Sequence, residues 1–150
     1  MKNFTRRRGG AEEINRITGK VIDLAIEIHR ALGPGLLESV YEAILQKKLI
    51  QWGFTVERQV AVPIFYEGLQ FDEGFRADLI INRLVCLELK SVETLSPVHS
   101  KQLLTYLKLL GLEVGLLINF GAPTLKEGLH RIVNNFREDS SFSPRLRASA

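Results

Sequence analysis

The stretch Gly-Phe-Arg-Ala-Asp-Leu-Ile-Ile-Asn-Arg-Leu-Val-Cys-Leu-Glu-Leu-Lys, residues 74–90, has the pattern of two short apolar strands joined by a turn. Three charged residues, Asp78, Glu88 and Lys90, lie among its aliphatic side chains. Burying a charge is costly unless the group is paired or binds a metal, so two acids with a lysine beside them would suit a divalent metal site. A half-exposed edge strand with Glu88 and Lys90 facing water would show the same alternation. This stretch alone leaves both interpretations open.

The turn of this hairpin decides whether the two acids can share one site. Opposed residues of an antiparallel pair share a face, so the length of the loop fixes which residues face each other. A two-residue loop at Asn82 and Arg83 would put Asp78 and Glu88 on opposite faces of the sheet. We therefore expect an odd-length loop, such as residues 82–84, or a β-bulge between the acids.

Composition indicates one globular domain. The chain has 150 residues, and its 45% hydrophobic content is enough for a core. Its single cysteine, Cys86, lies in an apolar run and is expected to pack as a small hydrophobic residue in a reducing compartment. No run reaches the roughly 18 apolar residues of a membrane span, and no apolar signal segment follows the basic start, so we expect a cytoplasmic location. The net charge of +3 permits a polyanionic partner without requiring one.

We expect a single domain to cover residues 13–136, with irregular segments on both sides. Residues 1–12 carry three consecutive arginines, Arg6 to Arg8, followed by two glycines, which is typical of a flexible basic arm or of a frayed terminus. Residues 137–150 are rich in serine and are expected to be disordered.

Hydrophobic periodicity predicts the order helix, helix, strands, helix, strand, helix, which is an α/β sandwich around a mixed sheet. Glu38 falls in the first turn of the second helix, where the helix dipole alone would explain an acid. Gln102 and Tyr106 are four apart, and so lie on one face of the third helix. The predicted helices are 12–32, 36–52, 97–110 and 124–136, and the predicted strands are 55–66, 69–75, 78–81, 84–92 and 113–120.

Two of these helices carry specific expectations about which side faces the core. The second helix should turn Leu37, Val40, Tyr41, Ile44 and Trp52 inward. The last helix should turn Leu125, Leu129, Ile132 and Val133 inward, because these residues recur at spacings of three and four.

The segment Gly-Leu-Leu-Glu-Ser-Val-Tyr, residues 35–41, fits the pattern Gly-x-x-Glu-x-x-Tyr. It resembles a largely uncharacterised bacterial family named after that pattern (GxxExxY), as does the preceding Glu-Ile-His-Arg-Ala-Leu-Gly-Pro at 27–34. The resemblance covers roughly residues 14–135. That family belongs to the PD-(D/E)XK, or restriction-endonuclease-like, nuclease superfamily. The resemblance therefore implies an α/β/α sandwich with a central mixed sheet.

The resemblance also implies roles for particular residues. Asp78 corresponds to the first acid, the segment from Glu88 to Lys90 to the (D/E)XK element, and Glu38 to the acid of the early helix. Gln102 and Tyr106 further resemble the Gln-x-x-x-Tyr motif of RecB-like nucleases. The chain departs from the motif in the residue before the first acid, which is alanine where many members have a proline that varies widely.

The function implied is that of a nuclease dependent on Mg²⁺ or Mn²⁺, acting on phosphodiester bonds of DNA or RNA. Asp78 and Glu88 would supply the one or two carboxylates that Mg²⁺ requires, and Glu38 would bind a second metal or a metal-bound water. Lys90, on the same strand face as Glu88, would orient the nucleophile or stabilise developing negative charge. Gln102 and Tyr106 would position the substrate, or form only a buried polar pair over the sheet.

Two alternatives from other functional classes remain open. One is a catalytically silent nucleic-acid-binding module, and the other is an interaction subunit that works only with a partner protein. The sequence also leaves open whether the chain forms a homodimer. It contains no helix-turn-helix or zinc-finger pattern, so we do not expect sequence-specific cutting.

Overall fold

The computed structural model describes residues 10–72 and 74–135, so residues 1–9 of the predicted basic arm and the predicted tail lie outside the described residues. Residues 10–12, the last of the predicted arm, are helical. In chain order the elements are α1 (Gly10–Leu32), α2 (Glu38–Gln51), β1 (Val56–Ala61), β2 (Ile64–Tyr66), β3 (Leu69–Phe71), β4 (Arg76–Ile81), β5 (Val85–Lys90), α3 (Pro97–Leu110), β6 (Val114–Asn119), α4 (Leu125–Gly128) and β7 (Leu129–Val133). Five strands form one sheet in the order β1-β4-β5-β6-β7, while β2 and β3 form a separate hairpin.

The central sheet is mixed and carries helices on both faces. Strands β5 and β6 are parallel, and α3 is the crossover that joins them, whereas the other neighbours are antiparallel. Helices α1 and α2 pack with one face of the sheet in the larger hydrophobic core, and α3 packs against the other face in a second core. This α/β/α sandwich confirms the predicted restriction-endonuclease-like fold class.

Helices α1 and α3 form as their sequences predict. The stripe of α1 is buried from Ile14 to Ile28, although Leu32 at its end is 45% exposed. Ser96 caps α3 with its hydroxyl, and Gly111 ends the helix in the left-handed conformation at a φ of 74°. The predicted strand at 113–120 is β6, and all six of its residues are buried between the two helical layers.

The buried side of α2 differs from the prediction. Its buried residues are Tyr41, Glu42, Leu45 and Leu49. Leu37 and Trp52, which were expected to face inward, are 73% and 59% exposed, Val40 is also exposed, and Ile44 is only partly buried. The prediction was correct for Tyr41 but wrong for the exposed residues, because the inward stripe passes through Glu42. Its charge is satisfied by polar partners on β1 and is therefore compatible with burial.

The predicted last helix is wrong over most of its length. Only Leu125–Gly128 is helical, and the chain then continues as β7, which pairs antiparallel with β6. The spacing of Leu129, Ile132 and Val133 fits a helix, but the edge of β6 offers unpaired backbone groups that a strand satisfies. Glycine at position 128 allows the chain to pass close to β6, because a Cβ there would lie 2.2 Å from the Asn119 carbonyl oxygen.

The predicted strand at 55–66 is divided in two. Val62 and Pro63 separate β1 from β2, because proline has no N–H to continue the ladder. The turn at Glu67 and Gly68 joins β2 to β3 as predicted, but β3 ends at Phe71 instead of residue 75. The hairpin thus extends from the same end of the sheet at which β4 begins.

The β4–β5 hairpin has the loop that a shared acidic site requires. Ile81 pairs with Val85, which leaves a loop of three residues, 82–84, and confirms the predicted odd length. Asn82 and Arg83 are both left-handed, and the Asn82 side chain accepts a hydrogen bond from the Thr55 amide at 2.7 Å. Cys86, in β5, is fully buried as predicted.

Candidate active site

Strands β4 and β5 separate where the two acids lie. Their pairing ends at Leu79 opposite Leu87, and the next residues outward in this register are Asp78 and Glu88. The backbone N–H of Asp78 donates to Glu88 Oε2 at 2.8 Å, and the N–H of Leu89 donates to Asp78 Oδ2 at 2.8 Å. The carboxylates therefore replace the backbone acceptors that the diverging strands have lost.

Both carboxylates hold their protons more tightly than usual. Burial raises the pKa of Asp78 to about 6, and the nearby Glu42 adds to the effect. Burial, followed by repulsion from Asp78, raises the pKa of Glu88 to about 8. Glu88 is only 4% exposed in a central strand, which excludes the edge-strand interpretation of the hairpin. Without a cation, the site therefore disfavours simultaneous ionisation of the two acids.

Lys90 lies at the end of β5, two residues beyond Glu88, and is half-buried. Its positive charge lowers the pKa of both Asp78 and Glu88, although less than burial raises them. Its carbonyl accepts a hydrogen bond from the Phe120 amide at 2.8 Å, which fixes the strand end against the chain after β6. Among the residues that the structure describes, its ammonium forms no ion pair within 4.0 Å.

Glu38 lies beside the same strand end. Its Oε2 accepts a hydrogen bond at 3.3 Å from the backbone N–H of Ser91, the residue that follows Lys90. The Ser91 hydroxyl donates to the Leu36 carbonyl at 2.6 Å, which ties the start of α2 to β5. Glu38 is exposed, so its carboxylate is accessible from solvent at the acidic end of the sheet.

Tyr41 holds the loop that leads to Glu38. Its ring stacks on Phe120, with 4.3 Å between ring centroids. Its hydroxyl donates to the Gly33 carbonyl and accepts from the Leu36 amide at 3.2 Å. The tyrosine of the Gly-x-x-Glu-x-x-Tyr segment is thus a buried anchor for the residues just before its glutamate.

A fourth acid, Glu42, lies one helical turn after Glu38 and was missed in the sequence. It is buried, and it forms an ion pair with Arg58. The Gln59 amide donates to both of its oxygens, at 3.0 and 3.2 Å, and to Asp78 Oδ1 at 3.2 Å. The spacing of four from Glu38, which puts both acids on one face of α2, was the signal that could have found it.

Comparison with known families decides the classification. A family model of the PD-(D/E)XK nuclease superfamily matches residues 15–132, which is most of the chain. The chain belongs to the PD-(D/E)XK nuclease superfamily. Comparisons with curated proteins and with solved structures find no match. Within residues 10–72 and 74–135, no helix combines the length and apolar character needed to cross a membrane.

In this PD-(D/E)XK protein, Tyr106 of α3 is buried in the second core. Burial raises the pKa of Tyr106 to about 12, and the charges of Glu88 and Asp78 add to this shift. Its ring meets Phe75 edge-on, with centroids 5.9 Å apart. Gln102, one turn earlier, is partly buried, and within the described part of the chain it makes no hydrogen bond to either acid.

PD-(D/E)XK nucleases generally use divalent metals, and the donors at this site fit one. Asp78 and Glu88 offer hard oxygen ligands, and Mg²⁺ needs only one or two carboxylates because it keeps several waters. Burial raises the pKa of both acids, and a bound cation would favour their ionised forms. Among the described residues, no group of three or more His, Cys, Asp or Glu side chains is arranged to hold a metal. The fit therefore rests on this pair.

Proposed function

We propose that this protein is a metal-dependent nuclease that hydrolyses phosphodiester bonds of DNA or RNA, with Mg²⁺ or Mn²⁺ as its cofactor. Membership of the nuclease superfamily supports a nucleic-acid substrate. The observation that carries the proposal is the pair of acids, buried Glu88 and partly buried Asp78, inserted between two diverging strands with Lys90 beside them. Burying two acids together is costly, and metal binding is a function that explains the cost.

Asp78 and Glu88 would hold the metal. Each has one oxygen fixed by a backbone amide, so their orientation is set before a cation binds. When bound, the cation neutralises charge on the phosphoryl oxygens and lowers the pKa of the attacking water. Glu38, exposed at the end of β5, would hold a second metal or a water of the first.

Lys90 would act on the substrate side of the pair. Its position, two residues beyond Glu88 at the end of the strand, suits a group that orients the nucleophile or stabilises negative charge in the transition state. Gln102 and Tyr106, four residues apart on one face of α3, would position the substrate or the catalytic residues. These positions support, as part of the proposal, a GxxExxY-type nuclease with a RecB-like Gln-x-x-x-Tyr element.

The test is cleavage of four labelled polymers, single- and double-stranded DNA and RNA, by purified protein with Mg²⁺, Mn²⁺ or EDTA. We expect cleavage of at least one polymer that requires the metal and is lost in Asp78→Ala. Asp23→Ala, at an exposed position on α1, is the matched control and should cleave as wild type does. Metal-dependent binding without cleavage of any polymer would identify a silent binding module and contradict the proposal.

A further inference from the structure

Gln59 has an unusual backbone conformation in the middle of β1. Its φ is +54°, although it is not glycine and lies inside a strand. The pairs on either side, Arg58 with Leu79 and Val60 with Ala77, continue in one register, so Gln59 lies opposite the first acid of the site. A left-handed residue other than glycine costs on the order of 1 kcal/mol or more, and such residues cluster at functional sites.

The side chain of Gln59 links two acids that come from different elements. Its Nε2 donates to Glu42 on α2 at 3.0 and 3.2 Å, and to Asp78 on β4 at 3.2 Å. The Arg76 guanidinium donates to the Gln59 carbonyl at 3.2 Å, which holds the distorted backbone from the other strand. The conformation is thus fixed on both the side chain and the main chain.

The hydrogen bonds from the Gln59 amide do more than satisfy the Glu42 carboxylate. Arg58 already pairs with that carboxylate and neutralises its charge. An amide differs from a guanidinium because it brings acids together without adding positive charge, and so leaves the negative potential of Asp78 available to a cation.

We propose that Gln59 is a positioning residue of the active site, which holds Asp78 in the orientation for metal binding by bridging it to Glu42. This inference rests on the proposed metal-dependent function. The inference also explains the strained backbone of β1. The left-handed conformation of Gln59 is retained because it directs the side-chain amide toward the two acids. Gln59 would act through the carboxylates and would not touch the reacting atoms.

Two substitutions separate the amide from the strain. Gln59→Ala removes the amide and keeps the strain, whereas Gln59→Gly removes both. Without metal, Gln59→Gly should melt roughly 3 °C above Gln59→Ala. Both variants should need about tenfold more Mg²⁺ for half-maximal cleavage, as is typical when a residue that orients a metal ligand is lost. At saturating Mg²⁺ most of the cleavage rate should return.

Glu67→Gly is the matched control. Glu67 is also left-handed, with a φ of +46°, but it lies in the turn between β2 and β3. Its replacement by glycine should relieve strain in the same way without changing the Mg²⁺ concentration for half-maximal cleavage. If Gln59→Gly and Gln59→Ala respond to Mg²⁺ as wild type does, the positioning role is refuted.

Two measurements of melting temperature, one with Mg²⁺ and one without metal, distinguish failure of this inference from failure of the proposed function. If wild type shows neither cleavage nor a change in melting temperature with Mg²⁺, the proposed function has failed. A double-mutant cycle of Gln59→Gly with Asp78→Ala then decides the positioning role. Melting temperatures that are not additive support coupling of the two side chains, whereas changes that add to within about 1 °C refute it.

Discussion

The carboxylate of Asp78 is bound by the strand that carries Glu88, and the carboxylate of Glu88 is bound by the backbone N–H of Asp78. This reciprocal pair of hydrogen bonds, each 2.8 Å long, fixes the acids at the point where β4 and β5 separate. Preorganised ligands lose little freedom when they bind a cation. The cost is the burial of Glu88 and its repulsion by Asp78, which together raise the pKa of Glu88 in the absence of metal.

Removal of one acid should therefore stabilise the metal-free protein. Asp78→Asn keeps an oxygen that can accept from the Leu89 amide but removes a buried charge. We expect its melting temperature without Mg²⁺ to equal or exceed that of wild type, and the increase that Mg²⁺ gives wild type to disappear. Differential scanning fluorimetry with Mg²⁺ and with EDTA measures both effects. Asp23→Asn should keep the wild-type response, and a response retained in Asp78→Asn would exclude Asp78 as a ligand.

The stability of the metal-free protein should fall as pH rises. The pKa values of Asp78 and Glu88, about 6 and about 8, exceed their ordinary values of 3.8 and 4.5. The folded protein therefore keeps protons that the unfolded chain has released, so the stabilisation is complete below about pH 4 and is lost as pH rises through the two folded values. In EDTA, the melting temperature should fall more steeply with rising pH for wild type than for Asp78→Asn. Equal dependence of the melting temperature on pH in the two proteins would contradict the raised pKa values of the acids.

Glu38 and Glu42 provide a matched pair on one helix. Glu42→Gln breaks a buried ion pair with Arg58, whose own side chain is 37% exposed, so we expect a loss of about 2 kcal/mol in the free energy of unfolding. Glu38→Gln, at an exposed position, should change it by less than about 0.5 kcal/mol. Urea denaturation in EDTA measures both values. An equal loss in the two variants would contradict the different burial of these acids.

The hairpin and its acids could be predicted because the evidence for them is local. Asp78, Glu88 and Lys90 interrupt apolar runs. Because side chains alternate along a strand, the length of the loop determines whether the two acids lie on the same face of the sheet. The three-residue loop at 82–84 meets that requirement. The bounds of α3, predicted as residues 97–110, could be predicted for the same reason.

Glu42, Gln59 and β7 could not be predicted in the same way. A glutamate in a helix is assigned to solvent by default, and Glu42 is buried only because Arg58 and Gln59 reach it from β1. Glutamine gives no sequence signal for a left-handed conformation, in contrast to glycine. The helical spacing in the segment that forms β7 was overruled by pairing with the edge of β6, which is a long-range interaction.

The different tasks of the acids and the lysine give the most direct test of the account. Lys90→Ala should keep the Mg²⁺-induced increase in melting temperature, because the two carboxylates remain. It should reduce the single-turnover cleavage rate by roughly 10² to 10⁴, the usual effect of losing a positioned acid–base or electrostatic group. Measuring both quantities on one preparation, with Asp78→Ala beside it, separates metal binding from chemistry. Cleavage by Lys90→Ala at the wild-type rate would contradict the assignment of the active site.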